Sequence, residues 1–225
     1  MEDASTTTRR QPPIALRRLA PVYQPIRPVS TTETDPTVLM ARPQRADARR
    51  NYEKLLAAAR AAFTEDDTEA SLEDVARRAG VGIGTLYRHF PTRQTLIEAV
   101  YVDEVEALSR SALDMAELPP WEALVGWLRR FVEYVRTKQA LAEELFAYAG
   151  PKPDVFASCR TALYSAGGPL LERAQQAGVV RLDVRTDDVL KLVSAIAKIS
   201  SPDQEQVERV LDVALDGLRP AHVVA

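Results

Sequence analysis

The amino-acid sequence predicts an all-α protein: an N-terminal three-helix unit followed by a larger helical C-terminal domain. From Arg42 onward, apolar residues recur three and four positions apart, the spacing that gathers them on one face of a helix. Gly80, Gly82, Pro91, Pro119 and Pro120 punctuate this pattern at helix-length intervals. No segment offers a convincing period-two strand, and no internal repeat is present.

The first element is the absence of one. Residues 1–41 carry Pro12, Pro13, Pro21, Pro25, Pro28 and Pro36 among Ser and Thr clusters. Proline removes backbone donors and blocks helix propagation, so a flexible, disordered extension is expected here. Arg9, Arg10, Arg17 and Arg18 flank an apolar stretch that Pro12 and Pro13 interrupt. It lacks the continuous hydrophobic segment of a secretory signal, and the expected compartment is the cytoplasm.

In the next segment Tyr52, Leu55, Leu56, Ala59 and Phe63 form the stripe of a first amphipathic helix, ended by the polar interval from Thr64 to Ala70. Ser71, with Asp74 three residues on, has the spacing of an N-terminal cap for a second, short helix. Its buried stripe is Leu72, Val75, Ala76 and Ala79. Gly80 follows where a left-handed helix end is needed. A third helix is expected from Ile83 to His89, with Leu86 inward and Phe90 closing its end before Pro91. Thr92 caps a long fourth helix whose stripe runs through Leu96, Ile97, Val100, Tyr101, Val105 and Leu108. Beyond Pro120 the expected helices are Trp121–Thr137, Ala140–Tyr148, Asp154–Ala177, Asp187–Ile199 and Asp203–Leu218.

Composition bounds the function. Over 225 residues, 46% hydrophobic and 27% charged is ordinary for a soluble globular chain. No apolar run approaches the ~20 residues that span a membrane, so no membrane partner is expected. Cys159 is the only cysteine, which excludes an intrachain disulfide and a thiolate zinc cluster; a small buried residue is expected. Only His89 and His222 are present, without metal-ligand spacing or a Gly-rich phosphate loop after a strand. No enzyme activity, cofactor or metal is expected. The net charge of −3 is concentrated in the second half, and since phosphate contact needs only a local cationic face, it does not oppose nucleic-acid binding.

The second and third helices, separated by a turn of about three residues, have the spacing of a helix-turn-helix. Close packing at a steep crossing leaves one face of the second member free to enter a major groove ~12 Å wide. Architectural or protein-docking use of such a module is the competing reading, which gel-shift titration against the chain's own upstream DNA would separate.

Ser71-Leu72-Glu73-Asp74-Val75-Ala76-Arg77-Arg78-Ala79-Gly80-Val81, then Thr85-Leu86-Tyr87-Arg88-His89-Phe90-Pro91-Thr92-Arg93 and Leu96, closely resemble the signature of the TetR family, over about residues 45–100. The resemblance implies a homodimer whose third helices read a double-stranded DNA operator and whose variable helical domain binds a small-molecule effector. The function it implies is a sequence-specific transcriptional regulator, a repressor released from its operator by that effector. It divides the chain into the extension at 1–41, a DNA-binding domain at 42–91, a linking helix at 92–110, an effector-binding and dimerisation domain at 111–219, and a tail at 220–225. The stretch from Trp127 to Gly178 also resembles the C-terminal region of SbtR-like members.

Matched residue by residue, the resemblance places Ser71, Tyr87, His89 and Arg93 at phosphates and Ile83, Gly84 and Thr85 near bases. The chemistry agrees, since hydroxyl, phenol, imidazole and guanidinium all donate to phosphate oxygen. Ile83 and Gly84 offer no side-chain hydrogen bond, so base reading rests on Thr85, on an Ile83 contact with a thymine methyl and on DNA shape. Arg49 is a further candidate, with Arg42, Arg45 and Arg50 beside it, for phosphates or a minor groove; a solvated charged face is the alternative.

In the C-terminal half, Trp127, Phe131, Phe146, Phe156 and Tyr164 are candidate lining for an apolar effector cavity, although aromatics at such spacing are more often core. Val189, Val193 and Ile196 on one helix, with Val207, Val210, Leu211, Ala214, Leu215 and Leu218 on the last, form wide apolar faces. They are the expected four-helix dimer interface, the alternative being closure of a monomeric core.

Overall fold

A computed structural model describes residues 39–40, 42–64, 70–148, 153–200 and 204–220, without the side chains of 64, 140, 142–148, 153, 154 and 204. The expected extension therefore lies outside the described residues except at its last few positions, as does the tail beyond residue 220. Among the described residues there are eight helices: α1 (Ala46–Thr64), α2 (Leu72–Ala79), α3 (Ile83–His89), α4 (Arg93–Asp114), α5 (Pro120–Tyr148), α6 (Pro153–Gln176), α7 (Thr186–Ala197) and α8 (Gln204–Asp216).

The N-terminal unit closes as its caps dictate. Ser71 Oγ accepts the Asp74 N–H at 3.1 Å, and Asp74 Oδ2 accepts the Ser71 N–H at 3.2 Å, so two otherwise orphaned donors at the start of α2 are satisfied together. At its other end Gly80 takes φ 62°, ψ 34°, a left-handed conformation open to a residue without Cβ. The turn brings Val75 and Ala76 of α2 and Leu86 of α3 against Leu55, Leu56 and Ala59 of α1 in one buried cluster.

Helix α4 is not an exposed connector. It packs on α1 at one side and on α5 and α6 at the other, and its buried residues join the N-terminal cluster to the C-terminal core without a break. It also holds the entering chain. Glu106, 1% exposed, accepts the backbone N–H groups of Leu39 and Met40 at 2.6 and 3.0 Å through one oxygen, and the Arg42 guanidinium at 2.8 Å through the other. A carboxylate so buried is tolerated because its lone pairs are filled by donors.

One helix replaces the two expected between Trp121 and Tyr148. The polar Lys138-Gln139 pair lies between the two expected helices, but both residues are good helix formers and neither breaks the backbone ladder. Leu141, fully buried, continues the stripe of Leu124, Trp127, Leu128, Phe131 and Tyr134. Helix α5 consequently runs about 43 Å, long enough to contact α1, α4, α6 and α7. On its outer face Arg129 reaches Glu208 at 2.7 Å and Asp212 at 2.6 Å, tying α8 to α5.

Candidate nucleic-acid interface and helical-domain cleft

Short caps at both ends leave α3 with one side buried and one side open. Leu86 is fully buried, whereas Ile83 is 39% and Tyr87 44% exposed, with Gly84 and Arg88 exposed between and beside them. A Cβ added at Gly84 would meet nothing within 4 Å. The open face is therefore free of protein for its whole length. Arg88 was not among the sequence candidates; its signal was its position four residues after Gly84, which puts both on the same face.

The remaining candidates divide by what already holds them. Ser71 is half-buried and serves the α2 cap, its hydroxyl donating to Asp74 at 2.7 Å. The Ser71 hydroxyl and backbone N–H hold the Asp74 carboxyl below the usual carboxylate range. The Tyr87 hydroxyl donates to Glu73 at 3.4 Å across the turn. Thr85 is half-buried, its N–H donating to the Gly82 carbonyl at 2.8 Å. His89 lies edge-on to Tyr52 of α1, ring centroids 5.9 Å apart. Arg93 donates to the Ala70 carbonyl and places its guanidinium 4.8 Å from the Phe63 ring centroid. That side chain, chosen for phosphate binding, also fastens the start of α4 to the α1–α2 junction.

Among the basic residues near α1, Arg49 is exposed and pairs with Glu53 at 3.3 Å, a contact worth little in water. Arg42 is not on that face. It is drawn to Asp103 at 2.5 Å and Glu106 at 2.8 Å, because a buried carboxylate demands a counter-charge; Arg110, one turn on in α4, reaches the same Glu106 oxygen at 3.6 Å.

In the C-terminal half α4, α5, α6 and α7 enclose a cleft of about 840 Å³. Phe131, Phe156 and Tyr164, expected there, do line it, together with Tyr101 and Tyr134. Tyr101 and Phe156 rings lie 5.1 Å apart, and the Tyr134 hydroxyl donates to that of Tyr101 at 3.2 Å. Burial pushes both phenols up, Tyr101 to about 12. Trp127 is corrected from lining to core: fully buried, it stacks behind Phe131 at 5.7 Å and donates its indole N–H to the Leu108 carbonyl at 3.1 Å. The Phe146 side chain lies outside the described residues. The rim of the cleft carries Lys138, Arg160, Lys191 and Lys198, which no periodicity signals because they come from three separate helices and the end of one.

Most of the expected dimer face is core. Val189, Val193, Ile196, Val207, Leu211, Leu215 and Leu218 are each at most 5% exposed within the single chain, and Ala214 is half-buried. Atoms already buried against their own core have no surface left for a partner. Only Val210 of that set is exposed, beside Val213 on α8 and Leu192 on α7. The wide stripe was correctly apolar, but one side of it faces inward and a different, narrower side faces out.

Among the described residues no group of three His, Cys, Asp or Glu is placed to hold a metal, and no helix is long and apolar enough to cross a membrane.

Comparison with known proteins gives this geometry its relatives. Residues 55–100 match the family model for bacterial regulatory proteins of the tetR family, and residues 119–220 match that for the C-terminal domain of SbtR-like transcriptional regulators. The chain is 45% identical to the TetR transcriptional regulator SCO0520 from Streptomyces coelicolor, with a TM-score of 0.67 over 76% of this chain and 99% of that one. It is 35% identical to a TetR transcription regulatory protein from Mycobacterium vanbaalenii, with a TM-score of 0.66 over 79% of this chain and 100% of that one. It is 32% identical over 83 residues to the HTH-type transcriptional regulator SAR0097 of Staphylococcus aureus (strain MRSA252), a stretch that spans 36% of this chain and 44% of that relative.

Proposed function

The chain belongs to the TetR family of bacterial transcriptional regulators, and from that membership we propose that it is a homodimeric, cytoplasmic repressor released from its operator by a small molecule. The observation that carries this is the course of α4. It begins at the Thr92 cap, directly after the open recognition face of α3, and eight residues later places Tyr101 in the wall of the cleft. Those eight residues span about 12 Å of one rigid helix. A ligand that displaces Tyr101 displaces the base of the reading head with it, and in a dimer the spacing of the two heads sets operator affinity.

On the DNA, Ile83, Gly84 and Thr85 approach the bases, while Tyr87, Arg88, Arg49, Ser71, His89 and Arg93 face phosphates. The exposed Leu192, Val210 and Val213 supply the apolar centre of the two-fold interface. On this reading residues 42–91 read DNA, the linking helix at 92–110 transmits and contributes Tyr101 to the cleft, and residues 111–219 form the effector-binding and dimerisation domain.

Fluorescence anisotropy with upstream intergenic DNA over a salt series tests the DNA assignment. Tyr87→Ala and Arg88→Ala should both weaken binding to every sequence, Arg88→Ala also lowering the salt slope by about one, whereas Thr85→Ala should change the preference among sequences. Equal, salt-independent losses for all three would sink it.

A further inference from the structure

The effector proposed above has no chemical identity, and the cleft supplies one. Its floor is aromatic: the rings of Tyr101, Phe131 and Phe156 line the space, and the Tyr134 hydroxyl donates to that of Tyr101, which in turn hydrogen-bonds Cys159. Its rim is cationic. Lys138 comes from α5, Arg160 from α6 and Lys198 from the end of α7, and among the described residues no carboxylate lines the cleft. Lys191 is the exception to an unbalanced charge, since Asp187 accepts it at 2.6 Å while also accepting the Tyr164 hydroxyl at 2.5 Å.

Like charges gathered over an aromatic floor repel one another, and the half-buried Lys138 among them also loses water, a cost that an arriving counter-charge offsets. The cost is visible at Lys138, which lies 5.8 Å from the Tyr101 ring centroid. Burial pushes its amine below the usual lysine range, Lys198 and Arg160 push it further, and only Cys159 opposes them. The volume of about 840 Å³ lies within the ~300–1,000 Å³ of small-molecule sites, far more than a bare inorganic anion fills.

Resting on the effector-cleft assignment above, we propose that the cleft binds an organic carboxylate. Its aromatic or acyl body lies on Tyr101 and Phe156, and its anionic head is held between Lys138, Arg160 and Lys198. The ligand's carboxylate then accepts charge-assisted hydrogen bonds from ammonium and guanidinium and neutralises the rim.

Calorimetry on the full-length protein with naphthoate, phenylbutyrate and octanoate, each beside its primary amide, tests this. At least one carboxylate should bind, and at least ten-fold more tightly than its amide. Arg160→Gln and Lys198→Met, both on exposed side chains, should each reduce that preference several-fold with unchanged circular dichroism, as should Lys138→Met, while Lys138→Arg retains it. Amides binding as well as carboxylates, a preference that survives all three neutralising variants, or no carboxylate binding at millimolar concentration would each overturn the proposal. Anisotropy on operator DNA separates the two assignments: a carboxylate that binds with this preference yet leaves DNA affinity unchanged upholds the ligand class and rejects the effector role.

Discussion

Gly167 lies so close to Trp127 that a Cβ there would stand 2.6 Å from two atoms of the indole ring. The contact locks α6 onto α5 at the level where Trp127 stacks behind the cleft residue Phe131. The indole cannot retreat cheaply, because it is fully buried and bonded to the Leu108 carbonyl. Gly167→Ala should therefore destabilise the fold by about 1–3 kcal/mol through overpacking, outweighing the roughly 1 kcal/mol that alanine gains in a helix. Urea unfolding checks the sign, and a stabilised variant would contradict the close approach.

Glu106 gathers the Leu39 and Met40 amides and the Arg42 guanidinium on one buried carboxylate. Glu106→Ala strands the two amides, leaves Arg42 with Asp103 as its carboxylate partner and should cost about 3 kcal/mol, whereas Glu106→Gln keeps the acceptor oxygen and should cost about 1.5 kcal/mol. Hydrogen exchange should show protection lost at Leu39 and Met40 in the alanine variant. Amides that stay protected there would mean that the carboxylate does not anchor this segment.

The proposed two-fold face separates two kinds of substitution. Val213, 73% exposed on α8, should tolerate Val213→Arg with little change in melting temperature, yet the variant should sediment as a monomer and lose operator affinity at low protein concentration. Val193, 1% exposed, should respond to Val193→Asp by failing to fold, since an uncompensated charge would enter the core. A Val213→Arg protein that remains dimeric would move the interface elsewhere.

Alkaline pH should unfold the protein through its buried phenols and thiol. Burial raises Tyr101 from its ordinary 10 to about 12, raises Tyr134 in the same direction, and raises Cys159 to about 11. The folded state thus holds protons that the unfolded chain has already released. The stability this contributes is complete below the ordinary values and is lost as pH climbs through the folded ones. Urea midpoints should fall from about pH 9 towards pH 12, with phenolate absorbance rising together with unfolding. Native Cys159 should resist iodoacetamide at pH 8 and react once urea is added. Rapid labelling of the native protein would show that the thiol is not buried.

The helix-turn-helix was legible in the chain because its determinants are local. The Ser71–Asp74 cap, the left-handed Gly80 and the inward Leu86 act within a few residues of one another, and each reappears in the structure as its side-chain chemistry requires. Apolar spacing likewise fixed where the helices lie, apart from α5, where a polar pair without a breaker concealed continuity.

Which side of each helix meets which neighbour was decided by tertiary packing. Periodicity marks a residue as apolar without distinguishing core from partner or cavity, so Val193 and Val210 read alike in the sequence and part company once α7 and α8 dock on α5. Charge behaves in the same way. Arg42 turns from a DNA candidate into the counter-ion of Glu106, and Lys138, Arg160 and Lys198, dispersed along the chain, become one cationic rim. The sequence by itself determined the helices and the DNA-reading unit, since short-range caps and stripes specify them. Only the tertiary structure decided the cleft, its charge and the outward face, since these exist where helices distant in the chain converge.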